Sequence, residues 1–199
     1  MADVLQAASD PPTNPRGIPR APFVDRVEDY VTSRSEVETT INSFKEMISK
    51  YQFMQSNTTR RASGLREKIP DITKTLQTVR FLSAARGKES VERLETTFEL
   101  NDTLFARAEV DVKGVGEVFL WLGANVMLAY PLDEAEELLQ SKLSTARYSL
   151  GTCEEDLDFL REQITTLEVA FARVYNWDVA QRRKEREDGV EGEKKAVEG

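Results

Sequence analysis

Residues 139–174 read LQSKLSTARYSLGTCEEDLDFLREQITTLEVAFARV, and apolar side chains recur through them in alternating steps of four and three residues. A repeat that averages about 3.5 residues forms an apolar stripe along an α-helix, and only a second helix can cover such a stripe. The same spacing occurs earlier in the chain, between Val37 and Val79. The two stripes therefore predict two long helices that cover each other as a left-handed coiled coil. The predicted seam consists of Val37, Ile41, Phe44, Ile48, Leu65, Ile69, Ile72, Leu76, Leu139, Leu143, Leu150, Leu157, Leu160, Ile164 and Leu167.

The helix boundaries follow from capping and stop signals at the ends of each stripe. The first helix is predicted over residues 33–86, beginning near a serine cap and ending before Gly87. The second is predicted over residues 133–183, with acidic residues in its first turns, where the helix dipole favours them. Because the two arms have nearly equal lengths, we expect a mainly α fold built on one long antiparallel coiled-coil hairpin.

Residues 94–130, between the two helices, change to the alternating pattern of β-strands. Turn signals lie at Asn101 and Gly123, so this small β region is predicted to form two consecutive β-hairpins. Four short strands have little stability unless their apolar face is covered, and both predicted helices are already paired. We therefore predict that other subunits cover the strands. The residues predicted to take part in this assembly are Phe98, Leu100, Leu104, Phe105, Val118, Leu120, Leu122, Val126, Leu128 and Tyr130.

Three further segments lie outside the helices and strands. Residues 1–16 contain three prolines among small and polar residues, and they are predicted to be a disordered arm. Residues 17–32 carry apolar side chains at helical spacing, which predicts a short amphipathic segment at the tip of the hairpin. Residues 184–199 are highly charged and are predicted to be a disordered tail.

The composition argues against several classes of function. The 199 residues carry a formal net charge of -8, which should repel nucleic-acid phosphates and anionic lipid surfaces. The chain has no histidine, the commonest general base and metal ligand. No apolar run reaches the roughly 20 residues that a bilayer requires. We therefore predict a cytoplasmic protein that is not an enzyme, with no catalytic residues, metal or cofactor, and with neither nucleic acid nor membrane as a partner.

Several stretches of this chain resemble the α-type subunits of the eukaryotic prefoldin family. The strand-turn-strand-helix stretch at residues 118–135, VFLWLGANVMLAYPLDEA, carries the strongest resemblance. The stretches EDLDFLR at 155–161 and ARVYNWDV at 172–179 are also similar, as are RGIPRAPF at 16–23 and KYQFM at 50–54. The resemblance covers roughly residues 16–183.

This resemblance implies a hetero-hexamer of two α-type and four β-type prefoldin subunits. Their strands would form a double β-barrel platform between subunits, from which six coiled coils project. It also implies an ATP-independent molecular chaperone that holds unfolded proteins, actin and tubulin above all, and delivers them to the cytosolic chaperonin. The alternative from a different class is a structural coiled-coil scaffold that oligomerises through its strands without binding clients.

Apolar residues gather where the two chain ends should meet, at the tip of the predicted hairpin. Terminal residues of a solvated coiled coil are polar unless they contact something. We therefore hypothesise that this cluster binds exposed apolar segments of unfolded clients, with the alternative that the segment around Phe23 folds back and covers Trp177. The client-binding candidates are Phe23, Val24, Val27, Tyr30, Phe171, Val174, Tyr175, Trp177 and Val179.

Overall fold

A computed structural model of the chain describes residues 13–31, 33–87 and 93–197, with side chains as far as residue 187. It contains two long helices with four strands between them. The elements are α1 (Arg34–Arg86), β1 (Arg93–Asn101), β2 (Leu104–Asp111), β3 (Glu117–Gly123), β4 (Val126–Pro131) and α2 (Leu132–Val197), preceded by a 3₁₀ turn at Val27–Asp29. The prediction of a mainly α fold with two antiparallel β-hairpins between the helices is confirmed.

Two predicted boundaries differ from the structure. Helix α2 continues to Val197, beyond the predicted end at residue 183, so most of the expected tail is helical. Extending an existing helix needs no new nucleus, and the Lys, Arg and Glu of this stretch are good helix formers. The predicted arm over residues 1–16 lies outside the described residues as far as residue 12. Its last four residues are ordered against α2, because Asn14 and Arg16 bind Asp156 there.

The structure divides into two compact units, the first made of residues 1–61 and 153–199 and the second of residues 62–152. In the first unit α1 and α2 pack antiparallel. Arg34, at the start of α1, pairs with Glu185, whereas Lys45 lies over the ring of Phe171. The buried core of this unit contains Val24, Val31, Val37, Phe44, Tyr51, Leu160, Ile164, Leu167, Ala170 and Val174. Residues that precede α1 thus share a core with both helices.

In the second unit, strand β3 packs against both helices. Leu120 of β3 shares a core with Val79 of α1 and with Leu132 and Ala135 of α2. Arg80 also joins the helices, because its guanidinium donates to Glu136 at 2.8 Å and to Gln140 at 2.8 Å. Every predicted seam residue, in either unit, is buried or half-buried.

The four strands form two separate two-stranded antiparallel sheets, β1-β2 and β3-β4. The β3-β4 turn places Gly123, Ala124 and Asn125 at positive φ, a region that glycine and asparagine enter readily and alanine does not. Neither sheet closes into a barrel within the described part of the chain. The outer edge of each strand carries N–H and C=O groups that no third strand of this chain pairs in the described region.

Candidate interaction surfaces

The β3-β4 hairpin is apolar on both faces, and only one of them is covered. On the covered face, Val118, Leu120 and Tyr130 pack against the core of the second unit. On the other face, Phe119 pairs across the hairpin with Ala129, and Trp121 pairs with Met127. These outward side chains are largely exposed: Phe119 at 69%, Trp121 at 60% and Met127 at 53%. A sheet with two apolar faces is typical of a strand pair buried on both sides.

The β1-β2 hairpin has one apolar face, and the end of this face near the β1-β2 turn is exposed to solvent. Register places Leu94 opposite Val110 and Phe98 opposite Ala106, so these four residues share a face, and a register shift follows at Leu100. Glu95, which pairs with Glu109, belongs to the opposite, polar face. The large apolar residues Phe98, Leu100, Leu104 and Phe105 are all more than half exposed. Water therefore reaches most of the apolar area of this hairpin.

The structure separates the predicted assembly residues into two groups. Leu120 is buried at 8%, and Val118 and Tyr130 are half-buried against the core of their own unit, so these three residues already have internal contacts, and their part in assembly stays a prediction. The others are exposed, namely Phe98, Leu100, Leu104, Phe105, Leu122, Val126 and Leu128. The prediction did not include the exposed residues Phe119, Trp121 and Met127, because alternation was used to choose one face of the hairpin. The unbroken apolar run at residues 118–122 was the signal that both faces are apolar.

A segment that we call the strap, residues 13–31, lies along α1 and α2 in the first unit. At its beginning the Asn14 side chain donates to Asp156 Oδ1 at 2.7 Å and accepts the N–H groups of Arg16 and Ile18. Arg16 donates to Asp156 at 2.6 Å and pairs with Glu155 at 3.0 Å. The hydrogen bond with Asp156 is the main reason that the pKa of Arg16 is raised above its ordinary value, against a smaller lowering by desolvation. These contacts fix the start of the strap on α2.

Further along, the strap is held by apolar contacts and by hydrogen bonds to its backbone. Val24 and Val31 are buried at 2% and 1%. The Tyr51 hydroxyl donates to the C=O of Pro19 at 2.9 Å. Burial raises the pKa of Tyr51 above its ordinary value of 10.0, since desolvation penalises the phenolate. The strap therefore covers part of the apolar surface of α1 and α2.

Two more side chains of α2 bind the backbone of the strap. The buried Gln163 accepts the N–H of Ala21 at 2.9 Å through Oε1 and donates to the C=O of Phe159 at 3.3 Å. Arg173 donates to the C=O of Val24 at 2.6 Å, and its guanidinium lies 5.4 Å from the centre of the Phe23 ring. The amide and guanidinium groups thus satisfy backbone atoms that would otherwise face an apolar core.

The strap divides the predicted client-binding candidates. Val24 and Val174 are buried while the strap is in place, and their part in client binding stays a prediction. Val27, Phe171 and Trp177 are half-buried against the same core, and Val179 is half-buried as well. The physical reason is that the strap folds back over α2, as the alternative for the segment around Phe23 anticipated.

Three predicted candidates remain exposed, and we call them the exposed aromatic residues: Phe23, Tyr30 and Tyr175. Phe23 is 61% exposed and stacks under Arg173, while the Tyr30 hydroxyl donates to the C=O of Phe23 at 3.3 Å. Tyr175 is 52% exposed, and its ring lies parallel to that of Phe171 with 6.4 Å between centroids. Internal contacts thus hold these aromatic rings in place while leaving much of their surface free.

The described residues contain no group of three or more histidine, cysteine, aspartate or glutamate side chains placed to hold a metal ion. In the same residues, every helix is too short or too polar to cross a membrane.

Comparison with known proteins defines the class. The family model described as "Prefoldin subunit" matches residues 51–177. The chain belongs to the prefoldin family.

Within this family, the chain is similar to prefoldin subunit 3 of several eukaryotes. Prefoldin subunit 3 of Elsinoe fawcettii is 71% identical over 178 residues, which cover 89% of this chain and 88% of that protein. The probable prefoldin subunit 3 of Schizosaccharomyces pombe is 50% identical over 172 residues, covering 86% and 96%. Prefoldin subunit 3 of Homo sapiens is 44% identical over 171 residues, covering 85% of each. A chain of the filamentous PFD of Methanocaldococcus jannaschii, solved by cryo-EM, matches 58% of this chain and 95% of its own length, with 15% identity and a TM-score of 0.39.

Proposed function

We propose that this chain is an α-type subunit of a cytoplasmic hetero-hexamer that contains two α-type and four β-type prefoldin subunits. The hexamer holds unfolded proteins, including actin and tubulin, at the ends of its coiled coils. It acts without ATP hydrolysis and delivers its clients to the cytosolic chaperonin. Membership of the prefoldin family supports the chaperone class, and the finer statements rest on the surfaces described above.

The observation that carries the proposal is the uncovered apolar area of the two hairpins. Phe98 on β1 and Phe119 and Trp121 on β3 are each at least 60% exposed. Such large apolar side chains, next to unpaired strand edges, favour burial by strands of other subunits. The barrel of the proposed platform is completed only when several subunits contribute their hairpins.

Client binding is assigned to the exposed aromatic residues of the first unit. Aromatic rings give a large apolar contact with little side-chain entropy to lose, and they do not require a particular client sequence. Each such contact is weak, but six coiled coils that bind one client together gain affinity through their high effective concentration. Weak individual contacts also let a client leave without nucleotide hydrolysis.

The test uses the hexamer formed by co-expression with its partner subunits, and it measures the aggregation of chemically denatured actin without nucleotide. Tyr175→Ser should weaken suppression of aggregation several-fold. The matched control is Tyr148→Ser, which removes an equally large and more exposed ring, at 76%, from the same helix in the other unit. Trp177 is a poorer choice because it packs against the core.

The outcome also separates the chaperone from the structural scaffold. An intact wild-type hexamer that leaves actin aggregation unchanged would favour the scaffold. Equal losses in the Tyr175→Ser and Tyr148→Ser hexamers would contradict the assignment of client binding to the exposed aromatic residues.

A further inference from the structure

Three side chains of the helices bind main-chain atoms of the strap. Tyr51 binds the C=O of Pro19, Gln163 binds the N–H of Ala21, and Arg173 binds the C=O of Val24. Every polypeptide carries these groups, so the three side chains recognise an extended backbone and not a particular sequence. Their donors and acceptors are spaced along the path of the strap from residue 19 to residue 24.

The apolar contacts of the strap are equally general. The strap inserts aliphatic side chains at intervals of three or four residues into the core of the first unit: Ile18, Ala21, Val24, Val27 and Val31. The same core contains Leu160, Leu167 and Val174 of α2, which are fully buried. Small and medium aliphatic residues at such intervals occur in most unfolded proteins. Removing the strap would leave an apolar surface, which needs another occupant.

We propose that the surface of α1 and α2 beneath the strap is a binding site for an extended apolar segment of an unfolded polypeptide, with the strap as its resident competitor. Tyr51, Gln163 and Arg173 are the backbone-binding residues of this site. The inference rests on the proposed function, because it assumes that the assembly meets unfolded chains, and it adds a second surface to the exposed aromatic residues.

The attachment of the strap is suited to exchange. At its first anchor, Arg16 pairs with Glu155, whose side chain is 70% exposed, and such an exposed ion pair contributes little to stability. The pair with Asp156, whose side chain is 16% exposed, is the firmer part of this anchor. If the strap left, Gln163 Oε1 would lose the N–H of Ala21, and the N–H of another extended backbone could take its place.

The tether makes the strap an effective competitor. Only residues 32 and 33 separate the strap from the start of α1, so its effective concentration at the site is on the order of millimolar. The apparent affinity for a client is therefore the affinity of the open site multiplied by the fraction of sites that are open. Rebinding of the strap would also help to expel a bound client.

The first test follows hydrogen exchange of the wild-type hexamer with and without denatured actin. Displacement predicts that the amide of Ala21 and its neighbours in the strap exchange at least ten-fold faster when the client is bound. The amide of Leu120, in the core of the second unit, serves as the internal control and should not change. Unchanged or slower exchange of the strap in the presence of bound client would overturn the inference.

The second test uses a fluorescent synthetic peptide with the sequence of residues 13–31. Val24→Asp places a charge at a fully buried position and should release the tethered strap, so the peptide should bind this hexamer at least ten-fold more tightly than wild type. Arg20→Asp introduces the same side chain at an exposed position and should leave peptide affinity near the wild-type value. Denatured actin should displace the peptide, and equal affinity for all three hexamers would contradict the proposal.

A third variant tests recognition of the backbone. Gln163→Leu, combined with Val24→Asp, keeps the volume of the side chain and removes the acceptor of the Ala21 N–H, so it should reverse most of the gain in peptide affinity. Undiminished binding would exclude a role for Gln163 in the site.

The failure of this inference can be told apart from the failure of the proposed function. If the wild-type hexamer binds no denatured actin, the proposed function fails. If it binds actin while the hydrogen exchange of the strap stays constant, only this inference fails. The exchange measurement needs no variant and so decides the question even if Val24→Asp prevents folding.

Discussion

Replacing Phe119 by alanine should weaken assembly while leaving the fold of the chain intact. Replacing its neighbour Leu120 by alanine should instead destabilise the fold of the second unit. The two residues are adjacent on β3 but point to opposite faces, with Phe119 at 69% exposed and Leu120 at 8%. Fully burying a phenylalanine side chain contributes about 1.5–3 kcal/mol. The exposed share of Phe119 therefore leaves about 1–2 kcal/mol to be gained from a partner subunit, or about five- to thirty-fold in the dissociation constant.

For Leu120 the loss falls on the second unit itself. Truncating a buried leucine leaves a cavity and costs about 2–5 kcal/mol. Because Leu120 contacts α1 and α2 through Val79 and Leu132, Leu120→Ala should speed hydrogen exchange at both helices. Phe119→Ala should leave that exchange at the wild-type rate.

Sedimentation velocity over a dilution series of the hexamer measures the first effect, and hydrogen exchange measures the second. The expected result for Phe119→Ala is dissociation at about five- to thirty-fold higher protein concentration than wild type, with unchanged exchange in α1. Dissociation at the wild-type concentration would refute the reasoning, because it would mean that no partner covers this face. Faster exchange in α1 would show instead that Phe119 supports the fold.

The remaining predictions concern stability. Gly64→Ala should raise the free energy of unfolding by about 1 kcal/mol, because Gly64 is helical and has open space where a Cβ would lie. Gly123→Ala should instead lower it, because Gly123 has a φ of +87°. Thermal unfolding of the hexamer measures both effects. For Tyr51, the raised pKa favours the neutral phenol in the folded state, so its contribution is complete below about pH 10 and is lost as pH rises through the folded pKa. Tyr51→Phe should therefore lower the free energy of unfolding by about 1 kcal/mol at neutral pH, because it removes the hydrogen bond to Pro19. The variant should also lose less stability than wild type at alkaline pH. Plots of unfolding free energy against pH that run parallel for the two proteins would contradict this prediction.

The helices and strands could be predicted from sequence because their signals are local and repeated. The spacing from Val37 to Val79 marks α1 over many turns, and Gly87 marks its end. The strand boundaries follow from turn residues such as Asn101, whose side chain accepts the N–H of Asp102 at 2.8 Å. The end of α2 was placed too early because an apolar stripe marks where a helix is covered, and the helix itself continues through charged residues to Val197.

The strap could not be predicted because its contacts join residues far apart in the chain. Asn14 meets Asp156 across 142 positions, and Arg173 meets Val24 across 149. Polar residues on a helix are usually solvated, so Gln163 and Arg173 gave no signal of their own. Only the apolar spacing of residues 17–32 indicated that something must cover this segment.

The strap also changes where client binding should be sought. With the strap in place, Val24 and Val174 are inaccessible, and the exposed aromatic residues offer a client only a few rings. A small exposed area favours solubility, because large apolar patches promote aggregation. A chaperone nevertheless needs enough apolar surface to hold an unfolded chain. A site that is uncovered in only a small fraction of molecules, and that another extended chain can then occupy, satisfies both requirements, since little apolar surface is exposed at any time. Hydrogen exchange of the strap amides in the client-bound hexamer therefore distinguishes two kinds of holdase. One has a permanently exposed binding surface, and the other exposes its binding surface only when the strap is displaced.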